Sequence, residues 1–156
     1  MTIKPEMTRK DDEQAIREII DSQLAALSRK DVGGAIGVYT KENNVMYTLA
    51  PPLRSQNKDE ATAVDSVQQW FDTWDGTLRY ETRDLQTIVS GDLAISTSLR
   101  HMVGDQNGKH IDMWFRKTLG LKRIDGEWKI FHDHESVPFY MDGSMKAATD
   151  LKPDEH

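Results

Sequence analysis

Two histidines two residues apart, His132 and His134, stand in a stretch that reads as a β-strand, Glu127 to Ser136. Side chains at i and i+2 of a strand leave the same face of a sheet, roughly 6.5–7 Å apart. Imidazole titrates near neutrality and can act as a general acid or base. If Ile124-Asp125-Gly126 closes the preceding hairpin as a three-residue loop, Arg123 pairs with Glu127. Thr118 then faces His132, and Arg116 faces His134. A two-residue loop would slip every pair by one and turn His134 toward Lys117. The first register is favoured here. It gathers Trp114, Arg116, Thr118, Ile130, His132, His134 and Ser136 on one face. It sends Ile111, Met113, Phe115, Leu119 and Phe131 to the other. A two-residue turn at Asn107-Gly108 would bring His101 opposite Trp114 on the same face as the histidine pair, and Leu99 opposite Arg116, whereas a wider loop over Gly104 to Gly108 would leave that register open.

Such a face could carry proton-transfer chemistry. His134, or His132, would move a proton on a carbon beside a carbonyl, and Arg116 would hold the developing oxyanion with its fixed fork of donors. Trp114, Thr118, Tyr47, Trp74, His101, Asp112 and Ser136 would line the pocket. The competing structural reading pairs Arg116 with a carboxylate such as Asp112 and leaves the histidines satisfied by their surroundings. Same-face histidines could also chelate zinc or iron, with His101 or Asp112 as a third ligand. Arg116 would repel that cation, so neither a metal nor any other cofactor is expected. The nucleophile elbow, the phosphate-cradling glycine loop and the dinucleotide fingerprint are all absent from the sequence.

The elements that must position these residues follow from periodicity. Asp11 to Lys30 has the apolar spacing of one helical face, through Ile16, Ile19, Ile20, Leu24 and Leu27, with Thr8 or Asp11 as its cap. A shorter helix over 32–39 follows the cap residue Asp31. Its glycines are poor helix formers, so close packing against another backbone must hold it. A strand over 43–49 ends at Pro51-Pro52. A third helix spans 58–74, with Val64, Val67, Phe71 and Trp74 in one stripe and Trp70 at its edge. Strands over 78–89, 93–103, 110–122 and 127–136 complete the chain, separated by turn residues. Helices segregated from a meander of strands give an α+β domain with helices on the concave face of a curled sheet. The apolar second face implies a homodimer packed through the outer side of the sheet.

Bulk properties narrow the partners. The chain has 156 residues, 37% of them hydrophobic, a formal net charge of -6 and no cysteine. Its pI is near 5.3 and its mean hydropathy is -0.66. One domain is expected, over residues 11–142, with an N-terminal extension at 1–10 and a polar tail at 143–156 that frays. The acidic balance and the lack of a basic stripe argue against nucleic acid. No run approaches the roughly 20 apolar residues of a membrane span, and the first residues lack a signal core. The absence of cysteine fits a cytoplasmic location.

The element order resembles the nuclear-transport-factor-2-like superfamily, and more narrowly its SnoaL-like, ketosteroid-isomerase-homologue branch. The residues that carry the likeness are Arg116-Lys117-Thr118, the Asp125-Gly126 turn, Trp128-Lys129-Ile130, His132, His134, Ser136, Val137, Pro138 and Pro51-Pro52. It spans about Asp11 to Asp142. The resemblance implies a cone-shaped, cystatin-like α+β barrel in which three N-terminal helices cover a curved antiparallel sheet. It also implies a deep apolar pocket and, commonly, a dimer. The fold hosts many chemistries, so it does not fix one. Ketosteroid isomerases use an aspartate on the first strand and a tyrosine from the first helix; residues 43–50 contain no acid and 16–27 no tyrosine. By residue type, His101, His132 or His134, Asp112, Tyr39 and Tyr47 imitate the set of the scytalone-dehydratase-like members. The implied function is a cofactor-free isomerase, dehydratase or cyclase acting on a small, apolar carbonyl compound. The alternatives are a non-catalytic binding or assembly module of the same fold and a histidine-ligated metal enzyme.

Overall fold

The computed structural model describes residues 8–41, 44–47 and 60–154, with side chains from residue 63 onward in the last segment and none for 45–47. Helix α1 (Arg9–Ser28) starts at Thr8, whose hydroxyl accepts from the Asp11 backbone N–H while the Asp11 carboxylate accepts from the Thr8 backbone N–H. Helix α2 (Val32–Ile36) is capped by Asp31 and stops at Gly37, shorter than its periodicity suggested. Strand β1 (Val45–Tyr47) and helix α3 (Glu60–Asp72) follow. Four long strands complete the fold: β2 (Trp74–Ser90), β3 (Leu93–Gln106), β4 (Lys109–Ile124) and β5 (Glu127–Ser136). Trp74 therefore opens a strand instead of ending a helix. The sheet order is β1-β5-β4-β3-β2, antiparallel except that β1 runs parallel to β5. The Pro51-Pro52 stop lies outside the described residues.

The stripe of α1 selects the inner face of the sheet. Ile16, Ile20 and Leu24 pack with Val89, Ala94, Leu119, Leu121, Trp128 and Ile130 in one core cluster. A second cluster joins Ala35 and Phe71 to Trp74 and Leu78. At the start of α1, the buried Asp12 carboxylate accepts from Trp128 Nε1 at 3.1 Å and from Arg123 Nη1 at 2.6 Å. This contact ties the helix to the final hairpin.

Two of the three hairpin turns contain two residues with positive φ, Asn107-Gly108 and Asp125-Gly126. The first gives the expected register, His101 opposite Trp114 and Leu99 opposite Arg116. The second pairs Ile124 with Glu127, but the register changes between Gly120 and Leu121. Phe131 is the extra residue of this bulge. Gly120 admits it, since a Cβ there would lie 2.9 Å from the Phe131 ring and 3.1 Å from the His132 Cβ. Beyond the bulge, Thr118 pairs with His134 and Arg116 with Ser136. The three-residue loop favoured from the sequence is therefore not formed; the alternative two-residue register holds from Ile124 to Leu121, and beyond the bulge neither register is the observed one. Strand β2 carries its own irregularity between Arg83 and Gln86, next to Asp84 at φ 56°.

Residues 143–154 fold back instead of leaving the domain after Asp142. Phe139 bridges to Ala147, Ala148 is buried, and Arg83 Nη1 donates to the Asp154 carbonyl at 3.1 Å.

Helix α2 tolerates its glycines because of its close approach to α1. A Cβ on Gly34 would stand 2.8 Å from the Ala26 Cβ, whereas one on Gly33 would meet nothing nearer than 3.7 Å. Gly34→Ala should therefore destabilise the protein by about 1–3 kcal/mol in urea unfolding, and Gly33→Ala should be neutral or stabilising by up to about 1 kcal/mol. Equal behaviour of the two variants would refute the close-approach argument. Asp12→Ala leaves the Trp128 indole N–H buried without an acceptor, and the same titration should register a loss of about 2–3 kcal/mol.

Candidate functional site

Strand alternation assigns every sheet residue to one of two faces. Leu119 pairs directly with Asp133, and Lys117 with Glu135, so both pairs share the helix-covered face with Phe115 and Leu121. Thr118, His134, Arg116, Ser136 and Trp114 lie on the opposite, outer face. His132 joins them through its pairing with Gly120. The grouping read from the sequence is thus correct except for Ile130, which is buried on the inner face, and Phe131, whose ring lies beside Gly120 and under Lys122 on the outer face. The side assigned to it is wrong. Arg116 is exposed on the outer face, away from the helices, and cannot hold an oxyanion beneath them. Phe115 and Leu119 face the helices instead of forming the back of the sheet, and Ile111 packs on the second core cluster.

His101, Asp112 and Trp114 do come together, on that outer face. The His101 ring stacks on Trp114, with centroids 4.4 Å apart at 7°. Its Nε2 lies 2.6 Å from Asp112 Oδ1 and its Nδ1 lies 3.4 Å from Glu81 Oε2. The hydrogen bond to His101 holds the Asp112 carboxyl below its usual range. Arg83 caps the other side of Trp114 at 5.1 Å. An open groove of about 450 Å³ runs here, lined by Arg79, Tyr80, Glu81, His101, His110 and Asp112 among others. His132 and His134 both have interactions of their own. Trp74 is buried in the second core cluster and meets Trp70 edge-on at 5.7 Å. The Tyr47 side chain lies outside the described part, although its backbone pairs with His134. Among the described residues, no cluster of three or more histidines and carboxylates could hold a metal.

The inner face holds a chemically richer set, which sequence reasoning passed over. Asp133 is 1% exposed and Lys117 4%. Lys117 Nζ lies 2.5 Å from Glu135 Oε1 and 2.6 Å from Asp133 Oδ1, the latter an ion contact outside hydrogen-bond alignment. On the far side of Asp133, the Tyr39 hydroxyl donates to Oδ2 at 2.6 Å, and Gln23 Nε2 donates to the Tyr39 oxygen at 3.0 Å. The result is a continuous polar chain from α1 to β5: Gln23, Tyr39, Asp133, Lys117, Glu135. Burial, with Asp133 beside it, drives the Tyr39 phenol well above its ordinary pKa. Tyr80 is likewise pushed up by burial, with Glu135 adding to the rise and Arg100 opposing it. Both phenols are neutral donors at physiological pH. Glu135 is the open end of the chain, its side chain 33% exposed.

The signal for this chain was present in the sequence. Lys117, Asp133 and Glu135 alternate with the histidine face at period two, but that alternation puts them on the face assigned to the apolar back of the sheet. Only the partnership with α1 reverses that assignment.

Residues 16–140 match the SnoaL-like domain. Similar solved structures share the fold over most of the chain. An NTF2-like protein of unknown function from Pseudomonas putida KT2440 is 25% identical, with a TM-score of 0.78, over 94% of this chain and all of that one. A candidate ketosteroid isomerase from Shewanella frigidimarina is 26% identical, with a TM-score of 0.62, over 78% of this chain and 94% of that one. A candidate dehydratase of the NTF2-like family from Streptomyces avermitilis has a TM-score of 0.68 at 15% identity, over 83% and 97%. No curated protein matches the chain. Helices packed on one face of a five-stranded sheet, together with the match over residues 16–140, make this chain a member of the SnoaL-like family within the NTF2-like superfamily.

Proposed function

We propose that the protein is a proton-transfer enzyme, an isomerase, lyase or cyclase, acting on a small and mostly apolar carbonyl compound bound between the sheet and its helices. One observation carries this reading: two carboxylates, Asp133 and Glu135, share a single buried lysine on the inner face. The pair divides the work. Asp133, closed from solvent and held by Tyr39 and Lys117, fixes the position of the cation. Glu135 is partly open and is the group that takes a proton from a carbon beside a carbonyl and returns it elsewhere. Tyr80, a neutral phenol on the neighbouring inner face, supplies a donor for the oxygen on which charge develops. This assignment replaces His132, His134 and Arg116 with residues one position away on the same strands. It agrees in type with the isomerase and dehydratase names borne by two structural neighbours.

The protein is also proposed to form a homodimer through the outer face. The expected apolar back of the sheet is instead its core, yet the true outer face exposes Ile88 (69%), Leu93 (56%) and Ile95 (46%) side by side, with Ile88 opposite Ile95. Among the described residues the tail meets this face at Arg83, while Ile88, Leu93 and Ile95 stay exposed. A second copy would bury it.

In deuterated buffer, the wild type should exchange the α-protons of small cyclic ketones such as 2-cyclohexenone, followed by loss of their proton NMR signals. Glu135→Gln should slow that exchange by about 10²–10⁴-fold. Exchange unchanged in the variant rules out Glu135. Alkaline titration followed at 295 nm should leave Tyr39 and Tyr80 un-ionised in the folded protein. Their folded pKa values are raised, so the stability they contribute is complete below about pH 10 and is lost as pH climbs past the folded values. Tyr39→Phe should remove its share of that alkaline loss. Light scattering on a sizing column should give twice the monomer mass, and Ile95→Glu should return the monomer; a monomeric wild type would exclude the outer-face dimer.

A further inference from the structure

Arg100 stands near the middle of β3 on the inner face, directly opposite Thr82 on β2 and Phe115 on β4. It is only 2% exposed. Its Nε and Nη2 are fully buried and have no acceptor among the described residues, and Thr82 Oγ1 beside it also lacks a partner. A guanidinium cannot shed its proton to escape this position. Buried charges in folded proteins are paired, so an unpaired one calls for an explanation. The nearby acids do not provide it, since Asp133 and Glu135 are both held by Lys117.

The identity of the unused atoms narrows what they accept. Nε and Nη2 form one edge of the guanidinium plane, the side-on fork that meets two oxygens of a single carboxylate in parallel bonds. Thr82 adds a hydroxyl next to the fork. The surroundings are apolar or aromatic: Phe115 is buried across the strand pair, and Tyr80 is close enough for its phenol to feel the Arg100 charge. We infer that Arg100 and Thr82 form a carboxylate-binding subsite, so that the ligand of the interior is a small monocarboxylate with an apolar body. This inference rests on reading the interior as the ligand site and adds the class of molecule it takes. The carboxylate sits on Arg100, and the carbon to be deprotonated lies toward Glu135. Neutral molecules of the same shape leave the fork unpaired and bind at least tenfold more weakly.

The test is calorimetric titration of the full chain with benzoate, benzamide and inorganic phosphate, alongside ¹⁵N resonances of the arginine Nε groups. Benzoate should bind at least tenfold more tightly than benzamide and should shift one Nε resonance, absent from Arg100→Lys. Arg100→Met should weaken benzoate about ten- to hundredfold, and Arg100→Lys should recover only part of that, since an ammonium lacks the fork. Benzamide binding as tightly as benzoate, no binding of either, or phosphate displacing benzoate at equal concentration would each overturn the subsite. Should Arg100→Met not fold, Arg100→Lys and the three-ligand comparison remain decisive. The subsite and the catalytic reading fail separately. Benzoate binding with no ketone exchange removes the role of Glu135 and keeps Arg100, whereas Glu135-dependent exchange with no preference for benzoate does the reverse.

Discussion

The packing of Ile16, Ile20 and Leu24 against Leu119, Leu121 and Ile130 is the constraint on which the rest of the molecule depends. A strand offers its two faces in strict alternation, so choosing the partner of one residue chooses the side of every other. Once Leu119 lies under α1, Lys117 and Asp133 must lie inside, and Thr118, His134 and Arg116 must lie outside. No local preference of a histidine or arginine competes with an apolar face that the helix must cover.

That choice places charge in the interior, and the network there is arranged to bear it. An ion pair between groups as buried as Lys117 and Asp133 contributes little net stability, because desolvation offsets most of the attraction. Removing either partner is another matter, since the survivor is left charged and unpaired, at about 3–5 kcal/mol. Tyr39 completes the set by donating to Asp133, and Gln23 on α1 donates in turn to Tyr39. The polar chain therefore ties α1 to β5 as the apolar stripe does. A fold stabilised by apolar burial alone would need none of it, which is why these groups are read as chemistry.

The outer face shows how similar residue types can be put to structural use. His101 is pinned between Asp112 and Glu81 and stacked on Trp114, and Arg83 both covers Trp114 and holds the tail. Each of these groups meets described neighbours, whereas the Arg100 fork meets none. Within a family whose fold serves several activities, such differences in pairing say more about a chain's task than the fold does.

The sequence by itself determined the element order, the α+β class, a turn at Asn107-Gly108 and, apart from Ile130 and Phe131, the set of side chains that share a face. Periodicity and turn chemistry are local, and they are readable one element at a time. The helix ends were legible to within a few residues, through Thr8 and Asp31 as caps. Three things belonged to the tertiary structure. The bulge at Phe131 depends on the space beside Gly120 across the hairpin. The docking of the tail's end depends on Arg83, 71 positions earlier in the chain. Above all, the side of the sheet that becomes the interior depends on which stripe meets α1. Both faces of β4 and β5 carry apolar and titratable residues, so alternation names two sets without ranking them. Only the helix, by covering one, makes the other the surface.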